Sequence, residues 1–330
     1  MRAPPRLLAR PCWGWHTLSG QPQNTTKLDS FRKESPMRYT ELRFAANGLT
    51  LAGRLYRPTG PGPHPLVILS HGFSALMAMG LGDYAEYFQD AGLACLAYEH
   101  RNFGASEGAP RHEIDPWQQV SDLREAVSYA RTLDGVDGAR IGLWGTSFAG
   151  GHVLVVGALD RRVKCVVSQV PLVAGNDTLR GWVGEANWDK LQGRFAADRD
   201  ARYAGAAART TQPARPGDQT SEWVEAIGAQ AVYPNEITQR SLELLGSYEP
   251  GSFIHRLAPT PLLMILATQD TQTPYAGQRA AFELAGEPKQ LVLLEGRHYD
   301  PYTTLLAPAA AAARDWFIRH LQRDGEVGPT

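Results

Sequence analysis

This chain has few cysteines and no excess of charge of one sign. Its 330 residues include three cysteines, too few for a disulfide framework, and 33 basic residues balance 34 acidic ones. The lack of a basic surplus argues against a nucleic-acid-binding protein. No apolar run approaches the roughly 20 residues of a membrane helix, and no Cys/His cluster has metal-ligand spacing. We therefore expect a cytoplasmic protein that binds no metal, nucleic acid or membrane, with Cys95 and Cys165 buried in apolar strands.

Hydrophobic periodicity is missing from the first 36 residues. Their first acidic residue is Asp29, and arginine, proline and tryptophan are scattered among them. We expect residues 1–36 to be a disordered or misassigned extension, with the natural start at Met37. An organellar transit peptide is the alternative, because the segment contains arginine and few acids. Under the first interpretation, a chain starting at Met37 should fold and keep full activity.

A short apolar strand followed by small residues is the most informative feature that is present. From Ile141 the chain reads IGLWGTSFAGGHVL, in which Gly145 and Ala149 lie two residues before and after Ser147. A sharp strand-to-helix turn of this kind exposes a nucleophilic serine, and it needs small residues there because the turn presses them together. The run lacks the Gly-Lys-Ser/Thr of a phosphate loop and the G-x-G-x-x-G of a dinucleotide site. The pattern favours Ser147 as a nucleophile and indicates no cofactor.

A serine nucleophile needs a histidine that accepts its proton and a carboxylate that orients the histidine. The run PLLMILATQD is a predicted strand that ends at Asp270, and the next predicted strand, QLVLLE, is followed by GRHYD with His298. Acid and base thus follow successive strands in the order serine, acid, histidine. Asp177, just beyond the sixth predicted strand, is the second candidate for the acid. Glu99 is a weaker candidate, because it precedes the serine and is expected to form a local ion pair.

Two backbone amides are predicted to form an oxyanion hole. The apolar strand PLVILSHGF runs from Pro65 to Phe73, and the loop after such a strand supplies one N–H group. The residue after the nucleophile, Phe148, supplies the other. His71 and His152 lie near these residues, and we interpret both as structural.

These stretches, together with YEHRNFGASEG, YEPGSFIHRLAPTPLLMI and GRHYDPY, resemble the α/β-hydrolase family over Tyr39 to Leu321. The narrower resemblance is to bacterial hydrolases related to fungal polyketide transferases and to dienelactone hydrolases. It implies a Ser-His-Asp enzyme that acts on an ester, lactone or thioester, or passes the acyl group to an alcohol. Ala149 in place of glycine and Arg297 before the histidine depart from the family pattern. Neither departure removes a catalytic group.

The predicted architecture is an α/β-hydrolase fold with a mostly parallel eight-stranded sheet and helices on both faces. Asn47-Gly48 predicts a hairpin between the first two strands. A helix is predicted from Asp115 to Leu133, with Asp115 as its N-cap. Residues 37–174 and 260–330 should form the core. Residues 175–259, in which no strand is evident, should form a helical cap inserted after strand six.

Aromatic residues in the expected cap suggest a binding pocket. Trp182 and Tyr233 are the candidate substrate contacts, although such side chains are more often cap core. An apolar acyl pocket would favour neutral esters or thioesters over charged or peptide substrates, so the expected partner is a small-molecule acyl compound. A non-catalytic hydrolase-like binding protein is the alternative from another class, and it is disfavoured because all three triad members are present. The sequence leaves open whether two copies form a homodimer.

Overall fold

The computed structural model describes residues 38–230 and 232–322. The expectations for residues 1–36 and for a start at Met37 therefore lie outside the described residues. Within the described part, no helix is both long enough and apolar enough to cross a bilayer.

Eight strands form one sheet, in the order β1-β2-β4-β3-β5-β6-β9-β10. The first two strands pair antiparallel around the Asn47-Gly48 turn, β2 pairs antiparallel with β4, and all other pairs are parallel. This arrangement confirms the predicted fold class. The strands are β1 (Tyr39–Ala46), β2 (Leu49–Tyr56), β3 (His64–Ser70), β4 (Ala94–Tyr98), β5 (Val136–Thr146), β6 (Val163–Gln169), β9 (Leu262–Ala267) and β10 (Lys289–Leu294).

Central strands are apolar throughout because both faces of the sheet are covered. In β3, Leu66 and Ile68 point into one hydrophobic cluster, whereas Val67 and Leu69 point into the other. All six residues of β9 are buried. A strand buried on both faces has no polar side, which explains why these strands appear in the sequence as continuous apolar runs.

Helices lie on both faces of the sheet. The helix α2 begins at Pro116, and the Asp115 carboxylate accepts hydrogen bonds from the N–H groups of Trp117 and Gln118, as the sequence predicted. It ends at Ala130, three residues before the predicted end. The helices are α1 (Leu81–Gln89), α2 (Pro116–Ala130), α3 (Phe148–Leu159), α4 (Gly175–Val183), α5 (Trp188–Tyr203), α6 (Gln219–Ala226), α7 (Gln239–Gly246), α8 (Tyr275–Leu284) and α9 (Leu306–Leu321).

The chain between β6 and β9, called here the inserted segment, contains the helices α4 to α7. It also contains two strands where none was predicted, β7 (Thr210–Thr211) and β8 (Ile237–Thr238), which pair antiparallel. Two residues are too few to produce a detectable alternation, so these strands had no sequence signal. The division of the chain into a core and a cap at residues 175–259 stays a prediction. Near the end of the inserted segment, Pro250 packs closely on Gly151 of α3. A Cβ on Gly151 would lie 2.7 Å from the proline ring.

Candidate functional site

Ser147 occupies a strained turn between β5 and α3. Its φ of 55° is unusual for a residue with a side chain. A Cβ on Gly145 would lie 2.2 Å from the carbonyl oxygen of Ala149, so only glycine fits at that position. Gly72 approaches from the loop after β3, where an added Cβ would lie 3.1 Å from the Ser147 Cβ. The two glycines therefore allow the backbone to close around a half-buried serine.

A hydrogen-bonded chain joins the three residues predicted to form the triad. Ser147 Oγ lies 3.0 Å from His298 Nε2, and His298 Nδ1 lies 2.7 Å from Asp270 Oδ2. Asp270 and His298 are almost fully buried, at 4% and 1% exposure. A neutral imidazole that donates from Nδ1 to the carboxylate leaves Nε2 to accept the serine proton. The structure thus brings together the side chains that a proton relay requires.

Burial alone raises the pKa of Asp270, but its neighbours outweigh that effect. The nearby His298, together with hydrogen bonds from Thr273 and Gln278, holds the pKa of the carboxyl below its usual value. The carboxylate is therefore ionised at neutral pH, as a group that orients an imidazole must be.

Two residues that support Asp270 were missed by the sequence analysis. Thr273 Oγ1 lies 2.9 Å from Asp270 Oδ2 and 3.2 Å from His298 Nδ1. Gln278 Nε2, fully buried in α8, donates to the same carboxylate oxygen at 3.0 Å. The threonine could have been suspected as part of the turn that Asp270 begins, since its N–H also donates to Asp270 Oδ1. Nothing in the sequence marks Gln278, because its role depends on the packing of α8.

The other candidate acids lie elsewhere. Asp177 is exposed in the first turn of α4, and the histidine contacts Asp270 instead. Glu99 is buried, and its carboxylate accepts a hydrogen bond from the backbone N–H of Met77. Within the described residues the ion pair of this loop joins Arg101 and Asp122, so the ion pair expected of Glu99 is wrong.

The predicted oxyanion donors lie on either side of the nucleophile. Phe148 is the first residue of α3, so its N–H has no acceptor within the helix. Phe73 follows Gly72, where an added Cβ would meet Ser147, and the two phenylalanine rings meet edge to face at 5.3 Å. The arrangement brings both residues next to Ser147, where their amides could bind a developing oxyanion.

Three buried histidines lie close together near Ser147, and one of them, His71, begins the loop after β3. The ring centroids of His71 and His100 are 4.3 Å apart, and those of His100 and His152 are 5.8 Å apart. Burial lowers the pKa of His71 to about 4 and that of His152 to about 3. His152 bonds Tyr248 Oη at 2.9 Å through Nδ1. The cluster is neutral at pH 7, which fits the structural role expected of His71 and His152.

A cavity of about 480 Å³ opens above Ser147 between the sheet edge and the inserted segment. Trp182 lines it as expected, with its indole 5.7 Å from the Phe73 ring and its Nε1 donating to the Gln272 carbonyl at 2.8 Å. Tyr233 does not line the cavity, and its hydroxyl instead lies 3.0 Å from Ser74 Oγ. The expected substrate contact of Tyr233 is therefore corrected to a contact with the loop after β3.

The cavity is also less uniformly apolar than the sequence suggested. Arg194, Arg215 and Asp218 lie in its wall among aromatic and aliphatic residues. None of the three carried a recognisable motif, because charges of both signs are interspersed throughout the inserted segment. Elsewhere in residues 38–230 and 232–322, no group of three or more histidine, cysteine or acidic side chains could hold a metal ion.

Comparison with known proteins places the chain among hydrolases. A family described as serine aminopeptidase, S33, matches residues 61–299. The quorum-quenching protein AidA of Acinetobacter baumannii (strain MDR-ZJ06) is 32% identical over 248 residues, which cover 72% of this chain and 81% of the relative. The thiohydrolase aneE of Aspergillus aculeatus is 29% identical over 306 residues, covering 86% of this chain and 93% of the relative.

Solved structures agree with the sequence comparison. The crystal structure of the α/β-hydrolase GrgF from Penicillium sp. superposes with a TM-score of 0.75 at 28% identity, covering 86% of this chain and 99% of that one. A curated relative, the polyketide transferase grgF of Penicillium sp., is 30% identical over 259 residues, which cover 77% of this chain and 87% of the relative.

Proposed function

Because the chain belongs to the S33 family of α/β-hydrolases, we propose that it cleaves a carboxylic ester, lactone or thioester through an acyl-enzyme intermediate. The observation that carries the proposal is the continuous chain from Ser147 Oγ through His298 to Asp270, with separations of 3.0 and 2.7 Å. Such a chain has the geometry of a nucleophile, a general base and a group that orients the base.

In the first half of the reaction, Ser147 Oγ attacks the carbonyl carbon while His298 Nε2 takes the hydroxyl proton. The N–H groups of Phe73 and Phe148 stabilise the oxyanion, and each such donor is worth roughly 2.7–4 kcal/mol. The intermediate collapses when the bond to the leaving group breaks, and His298 returns the proton to the departing alcohol or thiol. In the second half, His298 takes a proton from the water molecule that attacks the acyl-enzyme, and it gives that proton to Ser147 Oγ as the bond to the acyl group breaks.

A thioester is the substrate that the comparisons favour most. Two relatives that align with most of this chain are named thiohydrolases, one from Aspergillus aculeatus and one from Eupenicillium brefeldianum. A thiolate leaves more readily than an amine, so a thioester needs less help from the acid than a peptide does. The S33 family description names an aminopeptidase, but the relatives named thiohydrolase support an oxygen or sulfur leaving group instead.

Acyl transfer to an alcohol is a second candidate function. It is favoured because other relatives are named acyltransferase and polyketide transferase. The first half of the reaction would be the same, and an alcohol rather than water would attack the acyl-enzyme. The outcome would depend on how well the walls of the cavity exclude water in the acylated state.

Both candidates can be tested with one set of substrates. Butanoyl-pantetheine, p-nitrophenyl butanoate and a γ-lactone would be assayed with and without a primary alcohol, and an acyl adduct would be sought by mass spectrometry. We expect a butanoyl adduct on Ser147 and turnover of the thioester. A butanoyl ester of the alcohol, formed at the expense of butanoate, would identify transfer. Cleavage of an alanyl anilide faster than of every ester and thioester would contradict the proposal.

A further inference from the structure

Two arginines line the cavity without a carboxylate to neutralise them. Arg194 lies on α5, and its guanidinium donates to the amide oxygen of Gln239 at 2.8 Å. The Arg215 guanidinium forms no hydrogen bond or ion pair within the described parts of the chain. Arg194 forms no ion pair with the described residues. Both are exposed residues of the inserted segment, so they line the cavity where it is accessible to solvent.

The two other arginines of α5, unlike Arg194, form ion pairs. Arg199 is 3.2 Å from a Glu243 carboxylate oxygen, and Arg202 is 2.8 Å from one of Asp198. The arginines of α5 that point away from the cavity thus have acidic partners, whereas the one that lines it has an amide. The contrast indicates that the charge of Arg194 is left available to the cavity.

The single acidic residue in the cavity wall does not restore the balance. Asp218 is the N-cap of α6, and its two carboxylate oxygens accept the backbone N–H groups of Ser221 and Arg215 at 2.8 and 2.6 Å. A carboxylate used in this way stabilises the helix start. Its one negative charge stands against the two positive charges of Arg194 and Arg215, so the described cavity wall has an excess of positive charge.

We infer that the substrate carries an anionic group, a carboxylate or a phosphate, which Arg194 and Arg215 bind while the scissile carbonyl lies at Ser147. A guanidinium suits such a group because its planar fork matches two acceptor oxygens. The inference rests on the proposed function and names its substrate class more closely. It replaces the expectation, drawn from the aromatic residues and interspersed charges of the predicted cap, that neutral substrates are preferred.

The anionic group belongs either to the acyl chain or to the leaving group, and two matched pairs of substrates distinguish these positions. The first pair, p-nitrophenyl pentanoate and the p-nitrophenyl monoester of glutaric acid, differs only by a terminal carboxylate on the acyl chain. The second pair, butanoyl-pantetheine and butanoyl-4′-phosphopantetheine, differs only by a phosphate on the leaving group. The ratio of kcat/KM within each pair isolates the contribution of the charge.

The wild-type protein should prefer the charged member of one pair, which identifies the source of the anion. Arg194→Gln and Arg215→Gln should each reduce that preference by about five- to tenfold, as expected for the loss of a charge-assisted hydrogen bond. Arg199→Gln, on the same helix but paired with Glu243, is the matched control and should leave the ratio within twofold.

A preference for the neutral member of both pairs in the wild-type protein would overturn the inference. So would a preference for the charged member that survives both arginine substitutions. Failure of the proposed function has a separate signature, because a fluorophosphonate probe would then not label Ser147. Labelling of Ser147 with no effect of charge would leave the hydrolase assignment intact and refute only the anionic substrate.

Discussion

The sheet edge that carries Ser147, Asp270 and His298 and the inserted segment that faces it are built in opposite ways. All six residues of β9 are buried, whereas α5 buries only three of its sixteen. Apolar packing on two faces holds the strand ends, and a network of buried hydrogen bonds holds the side chains beyond them. Ion pairs of the inserted segment such as Arg180–Glu185 and Arg199–Glu243 are accessible to solvent, and pairs of this kind are worth about 0–1 kcal/mol each. The candidate catalytic side chains are therefore held more tightly than the cavity wall that faces them.

The largest effects of substitution are expected at the sheet edge. Ser147→Ala should lower kcat by about 10⁶-fold, because removal of the nucleophile disables the whole triad. Steady-state assay of butanoyl-pantetheine would measure the loss, and fluorophosphonate labelling should vanish with it. Activity that persists, or labelling that moves to another residue, would place the nucleophile elsewhere.

The second largest loss of kcat is expected on substitution of Asp270. Asp270→Asn should lower kcat by about 10⁴-fold, because an amide cannot hold His298 in the tautomer that accepts the serine proton. Asp177→Asn, at the exposed first turn of α4, is the matched control and should change kcat by less than about twofold. The reverse result would mean that the catalytic acid is Asp177 on the inserted segment and not Asp270 at the sheet edge.

Substitutions in the cavity wall should have smaller effects that depend on the substrate. The methylene groups of a well-filled pocket are worth about 1–3 kcal/mol each, so kcat/KM should rise with acyl length before it falls. Trp182→Ala should flatten that rise. Tyr233→Phe removes only the hydroxyl contact with Ser74, so its effect should be about 0.5–1.5 kcal/mol at every chain length. A flat profile in the unmodified protein would show that Trp182 does not shape the pocket.

The smallest expected effect is a pH dependence of the unfolding free energy that the buried histidines cause. Between about pH 4 and 6.5, His71 and His152 are neutral in the folded protein but protonated in the unfolded chain. The unfolded state then binds more protons, so the unfolding free energy falls as pH drops, by at most about 1.4 kcal/mol per pH unit for each histidine. Burial raises the pKa of Glu99 to about 7, so this carboxyl changes the unfolding free energy in the opposite direction between about pH 4.5 and 7.

Two histidines outweigh one carboxyl, so urea unfolding should show lower stability at pH 5 than at pH 6.5. His152→Gln should reduce this dependence by about 1 kcal/mol per pH unit. The same substitution at the exposed His255 should leave the slope unchanged. An unaltered slope in His152→Gln would show that other groups control the acid response.

The same difference between the two regions explains what the sequence could predict. The strands were visible because burial on both faces requires continuous apolar runs, and the candidate triad residues were visible because each follows a predicted strand. Gln278 was invisible, since a polar residue in a helix shows its partner only after the helix packs. Tyr233 was misplaced because an aromatic residue among scattered charges has no periodicity that says which way it faces. The cavity arginines were missed for the same reason.

The positive φ of Ser147 has a consequence for anyone who engineers this protein. A side chain at φ 55° carries a conformational penalty of about 1–3 kcal/mol that glycine would relieve. Ser147→Gly should therefore melt at a higher temperature than Ser147→Ala, and it should be as inactive. A library of variants selected by heat alone would thus be drawn toward replacing the nucleophile. Directed evolution for thermal resistance in this scaffold must be coupled to a turnover assay from its first round.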